Sequence, residues 1–205
     1  GELPEGQIAV CIALADKLDL LAGMFGIGQQ PTGDKDPFGL RRAALGVIRI
    51  VIEKDLPLKL NELIDLAFSV FPRGHGQAHT DVANFVFDRL SGYLRGGGGA
   101  AQEVGAVLSR RPVNLAEVPK ILKAVQAFQA LPEAAALAAA NKRIVNILRK
   151  AGRELVNADV ARLVEPAERA LFEALQKAQP VAESCFKAHD YTGALRVLAR
   201  LKQPV

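Results

Sequence analysis

Apolar residues recur at three- and four-residue spacing along almost the whole chain, the pattern of helices that each bury one face. Ile8, Ile12, Ala15, Leu18 and Ala22 form one stripe, and Leu40, Ala44, Val47, Ile48 and Val51 a second. Leu60, Leu63, Ile64 and Ala67 begin a third helix. Val82, Phe85, Val86 and Leu90 line a fourth, with Thr80 or Asp81 as its cap. A shorter helix is predicted over 101–110, stopped near Pro112. Asn114 is placed to cap the next, whose buried side is Val118, Ile121, Leu122, Val125 and Phe128. A helix over 132–150 follows, with a break around Gly152. The last two run over 166–188, which Pro180 should kink, and from Tyr191 onward. No alternating run is rich in β-branched residues, so no strand is expected. Half of the chain is hydrophobic but only 5% is aromatic, with no Trp; alanine and leucine supply the bulk, which favours helix. The expected class is all-α, a helical bundle of two helical subdomains.

The boundary candidates are loops. FPRGHGQA at 71–78 reads as an exposed loop, and four consecutive glycines at 96–99 read as the most flexible point. A division near residue 100 gives subdomains 1–99 and 100–205. Ala-Ala-Gln follows the glycine run where a phosphate-cradling loop needs Gly-Lys-Ser/Thr, so it is not read as a nucleotide site. Cys11 and Cys185 both sit in apolar helical patterns, and buried free thiols fit them better than a disulfide. That usage suits a reducing cytoplasm. Runs such as AVCIALA are too short to span a bilayer, and no basic-then-apolar secretory order is visible. Both ends read as cut, and the chain as a piece of a longer polypeptide.

The net charge of +4 is unevenly spread. Nine Lys/Arg and two Asp/Glu fall within 110–153, while the rest of the chain is slightly acidic. A polyanion is one partner for such a stretch, and a solvated basic helix face is the other reading. Within it, Leu137, Ala140, Ile144, Ile147 and Leu148 are expected to face the core. Lys142, Asn146, Arg149 and Lys150 then share the opposite side, with Arg143 at its edge. Such a face neutralises phosphates, but it has no aromatic residues for base stacking.

Residues 27–42, IGQQPTGDKDPFGLRR, combine glycines, prolines and an alternating acid–base cluster ending in two arginines. A packed core does not need such a string. It reads as an exposed loop with glycine at unusual φ, running into a helix that Asp36 caps and whose first turn Pro37 fits. This string resembles the corresponding segment of the bacterial glycyl-tRNA synthetase beta subunit family. The resemblance begins upstream at ALADKLDLLAGMFG and continues through RRAALGVIRIVIEKDLPL. The RRP at Arg110, Arg111 and Pro112, and ALAAANKRIVNIL at 136–148, extend it over most of the chain.

That resemblance implies a segment of an α2β2 enzyme that attaches glycine to tRNA(Gly) with ATP. The alpha subunit performs the chemistry and the beta subunit binds and positions tRNA. The candidate tRNA-binding residues are Lys35, Arg41 and Arg42 in the loop region and Arg110, Arg111, Lys142, Arg143, Asn146, Arg149 and Lys150 in the basic stretch. Arg41 has a local alternative in Asp34 or Asp36. No catalytic residue, metal, cofactor, DNA or membrane partner is expected for the chain itself, and ATP is used by the parent enzyme through the alpha subunit. ATP- and amino-acid-binding signatures of class II synthetases are not recognisable here.

In ALADKLD, Asp16 resembles the last metal ligand of the HD phosphohydrolases. A working site needs histidines upstream of it, whereas His75, His79 and His189 all lie downstream. Asp16 is therefore read as a relic of an HD-like domain, or as a polar residue paired with Lys17. His75 and His79 are spaced as a helical metal pair would be, but Pro72, Gly74 and Gly76 argue for a loop. DYTGALRVLARLKQPV resembles the start of the helical anticodon-binding domain of arginyl- and cysteinyl-type synthetases. Two rival functions are an HD-type metal phosphohydrolase and a helical scaffold that binds only protein.

Overall fold

The computed structural model describes residues 2–33, 35–72, 75–150 and 160–202, and residue 151 by its backbone. Asp34, the expected break at Gly152 and Arg153 lie outside the described residues. The architecture is all-α. The helices are α1 (Gln7–Gly26), α2 (Leu40–Glu53), α3 (Leu60–Ser69), α4 (His79–Gly96), α5 (Ala101–Leu108), α6 (Val118–Gln129), α7 (Ala134–Ala151), α8 (Pro166–Lys187) and α9 (Tyr191–Ala199). Short 3-10 turns at Leu115–Glu117, Val160–Arg162 and Arg200–Lys202 complete the described elements. Two isolated bridges, Thr32 with Lys35 and Lys59 with Asn114, are the β-type pairings among the described residues.

The chain divides into two compact units, Gly1–Leu122 and Lys123–Val205, so the division falls inside α6. It does not fall at the glycine run, because α5 packs back on α4 and the turn at 115–117 packs on α2.

In the first unit α2 lies against α1 and α4, and α3 lies against both α1 and α4. The α2 stripe is buried as expected, with Leu40, Ala44, Val47, Ile48 and Val51 all inside. Leu21, Ile50, Leu60, Ile64, Val82, Val86, Leu90 and Leu115 are among the other fully buried side chains of the core. The α1 stripe differs from expectation. Ile8 and Ile12 are 79% and 64% exposed, and Ala15 and Cys11 are exposed beside them. The buried side is instead Leu14, Leu18, Leu21, Ala22 and Phe25. The difference runs along the helix: Cys11 and Leu18, or Ala15 and Ala22, share a face seven residues apart, but only the later residue of each pair is covered. Cys11 and Cys185 are free, but Cys11 is exposed, in the uncovered N-terminal part of α1, and Cys185 is half-buried.

Four helices end in the same way. The residue after the cap adopts a left-handed conformation, and two backbone N–H groups fold back on the last turn, the Schellman arrangement. At the end of α1, Gly28 (φ 74°) bonds to Phe25 O at 3.0 Å and Gln29 to Met24 O at 2.8 Å. At the end of α4, Gly98 (φ 96°) bonds to Arg95 O and Gly99 to Leu94 O, both at 3.0 Å. Asp55 after α2 and His189 after α8 take the same position at φ 50° and 58°. The glycine run is thus a packed cap and not the flexible point expected. A Cβ on Gly99 would stand 2.8 Å from Val104 Cγ2.

Thr80 and Asp81 lie in the first turn of α4, not at its cap, which is Ala78. Asn114 caps as expected: its Oδ1 accepts from Ala116 N at 3.0 Å, opening the turn that leads into α6. In the second unit α8 packs on α9, and the turn at 200–202 meets α7, α8 and α9. Pro180 sits within α8, which continues to Lys187.

Candidate functional site

Segment 27–42 is a built loop. Asp36 caps α2 from outside the helix: Oδ1 accepts from Leu40 N at 2.8 Å and Oδ2 from Arg41 N at 3.0 Å. The helix begins at Leu40, so Pro37 belongs to the preceding turn, not to the first helical turn. That turn closes with Gly39 N on Asp36 O and needs left-handed Gly39, at φ 69°. Gly33 is also left-handed, at φ 53°, in the tight turn where Lys35 N meets Thr32 O. The expected glycines at unusual φ are therefore present.

The three basic residues of this segment are placed differently. Lys35 and Arg42 are exposed. Arg41 is half-buried and its Nη2 donates to the Gly33 carbonyl, while Asp34, one of its two expected partners, lies outside the described residues. Gln30 Nε2 reaches Asp81 Oδ2 at 3.5 Å beside a groove of about 350 Å³ that Phe25, Asn84 and Asp88 also line.

The basic stretch is shared between the two units. In the first, Arg110 is exposed, while Arg111 donates to Asn84 Oδ1 and lies over the Phe87 ring, 5.4 Å from its centre. Lys120 Nζ pairs with Asp55 at 3.0 Å and Glu117 at 3.3 Å, and these hydrogen bonds, Asp55's first, raise its pKa. In the second unit α7 gathers Lys142, Arg143, Asn146 and Lys150 around one groove of about 400 Å³, with Ala139 and Ile147 as its apolar floor. Arg149 Nη2 reaches Asn146 Oδ1 at 3.4 Å, which sets it on the same side. Helical spacing forces this grouping, since residues three, four and seven apart share a face.

The apolar residues of α7 expected to face the core are placed differently, and one of them, Ile147, lines the basic groove itself. Leu137 and Ala140 are half-buried, but Ile144, Ile147 and Leu148 are 44%, 56% and 40% exposed. A helix buries a stripe only where another element lies over it, and among the described residues of α7 the half-buried apolar positions, Leu137 and Ala140, lie in its N-terminal part.

The histidine pair also differs from the exposed loop expected. His75 stacks on Phe71 with ring centres 4.2 Å apart, and its Nε2 lies 3.0 Å from Ala22 O. His79 stacks on Phe68 at 4.1 Å and stands 3.7 Å from Asp65. Asp16 is exposed and its nearest cation is Lys17 at 3.7 Å. Among the described residues no three His, Cys, Asp or Glu side chains converge as a metal requires, and no helix is long and apolar enough to cross a membrane.

Comparison with known proteins adds a family. Residues 1–109 match the family model described as glycyl-tRNA synthetase beta subunit. The chain is 59% identical over 206 aligned positions to the glycine–tRNA ligase beta subunit of Thiobacillus denitrificans, covering 100% of this chain and 29% of that protein. It is 54% identical to the beta subunit of Paracidovorax citrulli, over 99% of this chain and 29% of that protein. It is 51% identical to that of Methylobacillus flagellatus, over 99% and 29% respectively. The chain thus spans about 29% of the length of the curated relatives it matches.

Proposed function

We propose a role from one premise: the chain belongs to the glycyl-tRNA synthetase beta subunit family. It serves as a helical segment of a beta subunit that binds and positions tRNA(Gly). An alpha subunit, in an α2β2 enzyme of the cytoplasm, attaches glycine with ATP. The first unit belongs to the end of an HD-like domain, and the second leads into an anticodon-binding domain. Asp16, paired with Lys17 on an exposed surface, is a relic of the HD fold with no metal role.

The observation that carries this reading is the α7 groove. Lys142, Arg143 and Lys150 present cationic groups around it, and Asn146 adds an amide that donates and accepts. An extended phosphate backbone meets several of these groups at once, and each phosphate neutralised adds to the salt dependence of binding. Positioning of this kind affects rate strongly, because a small misplacement of the reacting end is costly.

The test uses Lys142→Ala and Arg149→Ala in the assembled enzyme. Each should weaken tRNA binding by about 1 kcal/mol, uniformly across tRNA sequences, and flatten the salt slope. Glycine activation should stay near wild type. Unaltered affinity and salt slope in the double variant would favour a merely solvated helix face.

A further inference from the structure

The last four carbonyls of a helix lack partners within it. At the end of α1 three of them are taken by the chain that follows: Gly23 O by Ile27 N at 3.3 Å, Met24 O by Gln29 N and Phe25 O by Gly28 N. The fourth, Gly26 O, accepts from Gly76 N at 3.1 Å, from a loop fifty residues away. Beside it His75 Nε2 donates to Ala22 O at 3.0 Å, and the imidazole is held flat on Phe71 at 12° between planes. The crossing leaves no room for side chains. A Cβ on Gly26 would stand 1.8 Å from His75 Nε2, and one on Gly76 2.4 Å from Gly26 O. The segment that carries Lys35 and Arg42 departs from this point.

We infer that His75, with the Gly26–Gly76 crossing, is a positioning residue that sets the direction in which the loop after α1 leaves the helix, and so where Lys35 meets tRNA. This rests on the tRNA-binding reading above. Gln30 on Asp81 tethers the segment at its middle, and Asp36 with Arg41 tethers it at its end. The anchor at the α1 end is the one built from a residue remote in sequence on both of its bonds.

The experiment measures tRNA affinity, glycine activation and thermal melting in the full-length beta subunit assembled with its alpha subunit. His75→Phe keeps the stack on Phe71 and loses the bond to Ala22 O. It should weaken tRNA binding on the order of fivefold, the scale of one hydrogen bond, with glycine activation unchanged. His75→Gln, whose amide still donates, should recover most of the loss. Gly76→Ala, which presses on the same crossing from the other side, should repeat it. In a Lys35→Ala/Arg42→Ala background, His75→Phe should add nothing further. An additive effect there would overturn the inference while leaving the tRNA reading intact. Unaltered tRNA affinity in Lys35→Ala/Arg42→Ala alone would also overturn the inference, whereas the α7 reading fails only if Lys142→Ala and Arg149→Ala leave tRNA affinity and salt slope unaltered.

Discussion

Arg41 and Lys35 stand six residues apart in one charged string, yet the fold gives them different work. The Arg41 guanidinium satisfies the Gly33 carbonyl, and its backbone N–H is held by Asp36, whereas Lys35 is exposed. Arg41→Ala should therefore lower the unfolding free energy by about 1 kcal/mol, the scale of one ordinary hydrogen bond, since exposure to solvent weakens the contribution of the charge. Lys35→Ala should change it by less than about 0.5 kcal/mol, as surface substitutions do. Urea unfolding of the two variants distinguishes them, and equal losses would show that Arg41 does not hold the loop. Glu53 offers a pH test at the same scale. Hydrogen bonding from Arg49, at 2.7 Å, holds its carboxyl below the usual range, with Tyr93 OH a weaker contact at 3.4 Å. A lowered native pKa stabilises the fold above the unfolded value, about 4.3, and that contribution is lost as pH falls through the lowered value. The melting temperature of Glu53→Gln should lie below that of the wild type at neutral pH, and the gap should shrink as pH falls below about 4.3 and close beneath the lowered native value. A gap that persists into acid would assign the difference to something other than this charge.

At the scale of the element, the helix ends have the same physical basis. A left-handed residue lets two N–H groups return to carbonyls that the helix leaves open. Neighbouring glycines in the α4 cap separate this from simple flexibility. Gly98 is left-handed at φ 96°, while Gly97 has an ordinary φ of −83° and only van der Waals neighbours around its would-be Cβ. Gly98→Ala should destabilise by about 1 kcal/mol, the Cβ clash of the left-handed region. Gly97→Ala should stay within about 0.5 kcal/mol of wild type. Calorimetry of both variants checks the contrast, and equal destabilisation would argue against the cap. Helix α7 shows the other limit of an element read alone. Its basic face is set by spacing, but the fate of its apolar face depends on what lies over it.

Over the whole molecule the two units differ in what they bury. The first holds a core of Leu, Ile, Val and Phe side chains from α1 to α6. In the second, the buried hydrophobic side chains among the described residues are Ala124, Ala134, Ala182, Ala194 and Ala199. A buried leucine or isoleucine contributes roughly 1.5–3 kcal/mol relative to exposure, and alanine far less for its smaller area. Native-state hydrogen exchange should therefore show slower exchange for amides of α2 and α4 than for those of α8 and α9. Equal protection in both units would mean that packing in the second is stronger than its buried side chains indicate.

The sequence by itself determined the helical class, the α2 stripe, the Asn114 and Asp36 caps, the glycines at positive φ and the grouping of Lys142, Asn146, Arg149 and Lys150. These depend on interactions within about one or two turns of helix, where spacing and side-chain chemistry decide the outcome. The family resemblance was legible too, from loops whose residues no core requires. Tertiary structure alone decided how far along α1 cover extends, so that Ile8, Cys11 and Ile12 are exposed. It also decided that α7 keeps Ile144, Ile147 and Leu148 in the open, that the glycines at 96–99 form a packed cap, and that His75 closes the end of α1. Periodicity reports that a face is apolar, but burial needs a second surface over that face. The contact of His75 with Ala22 spans 53 residues, and no local pattern encodes that approach.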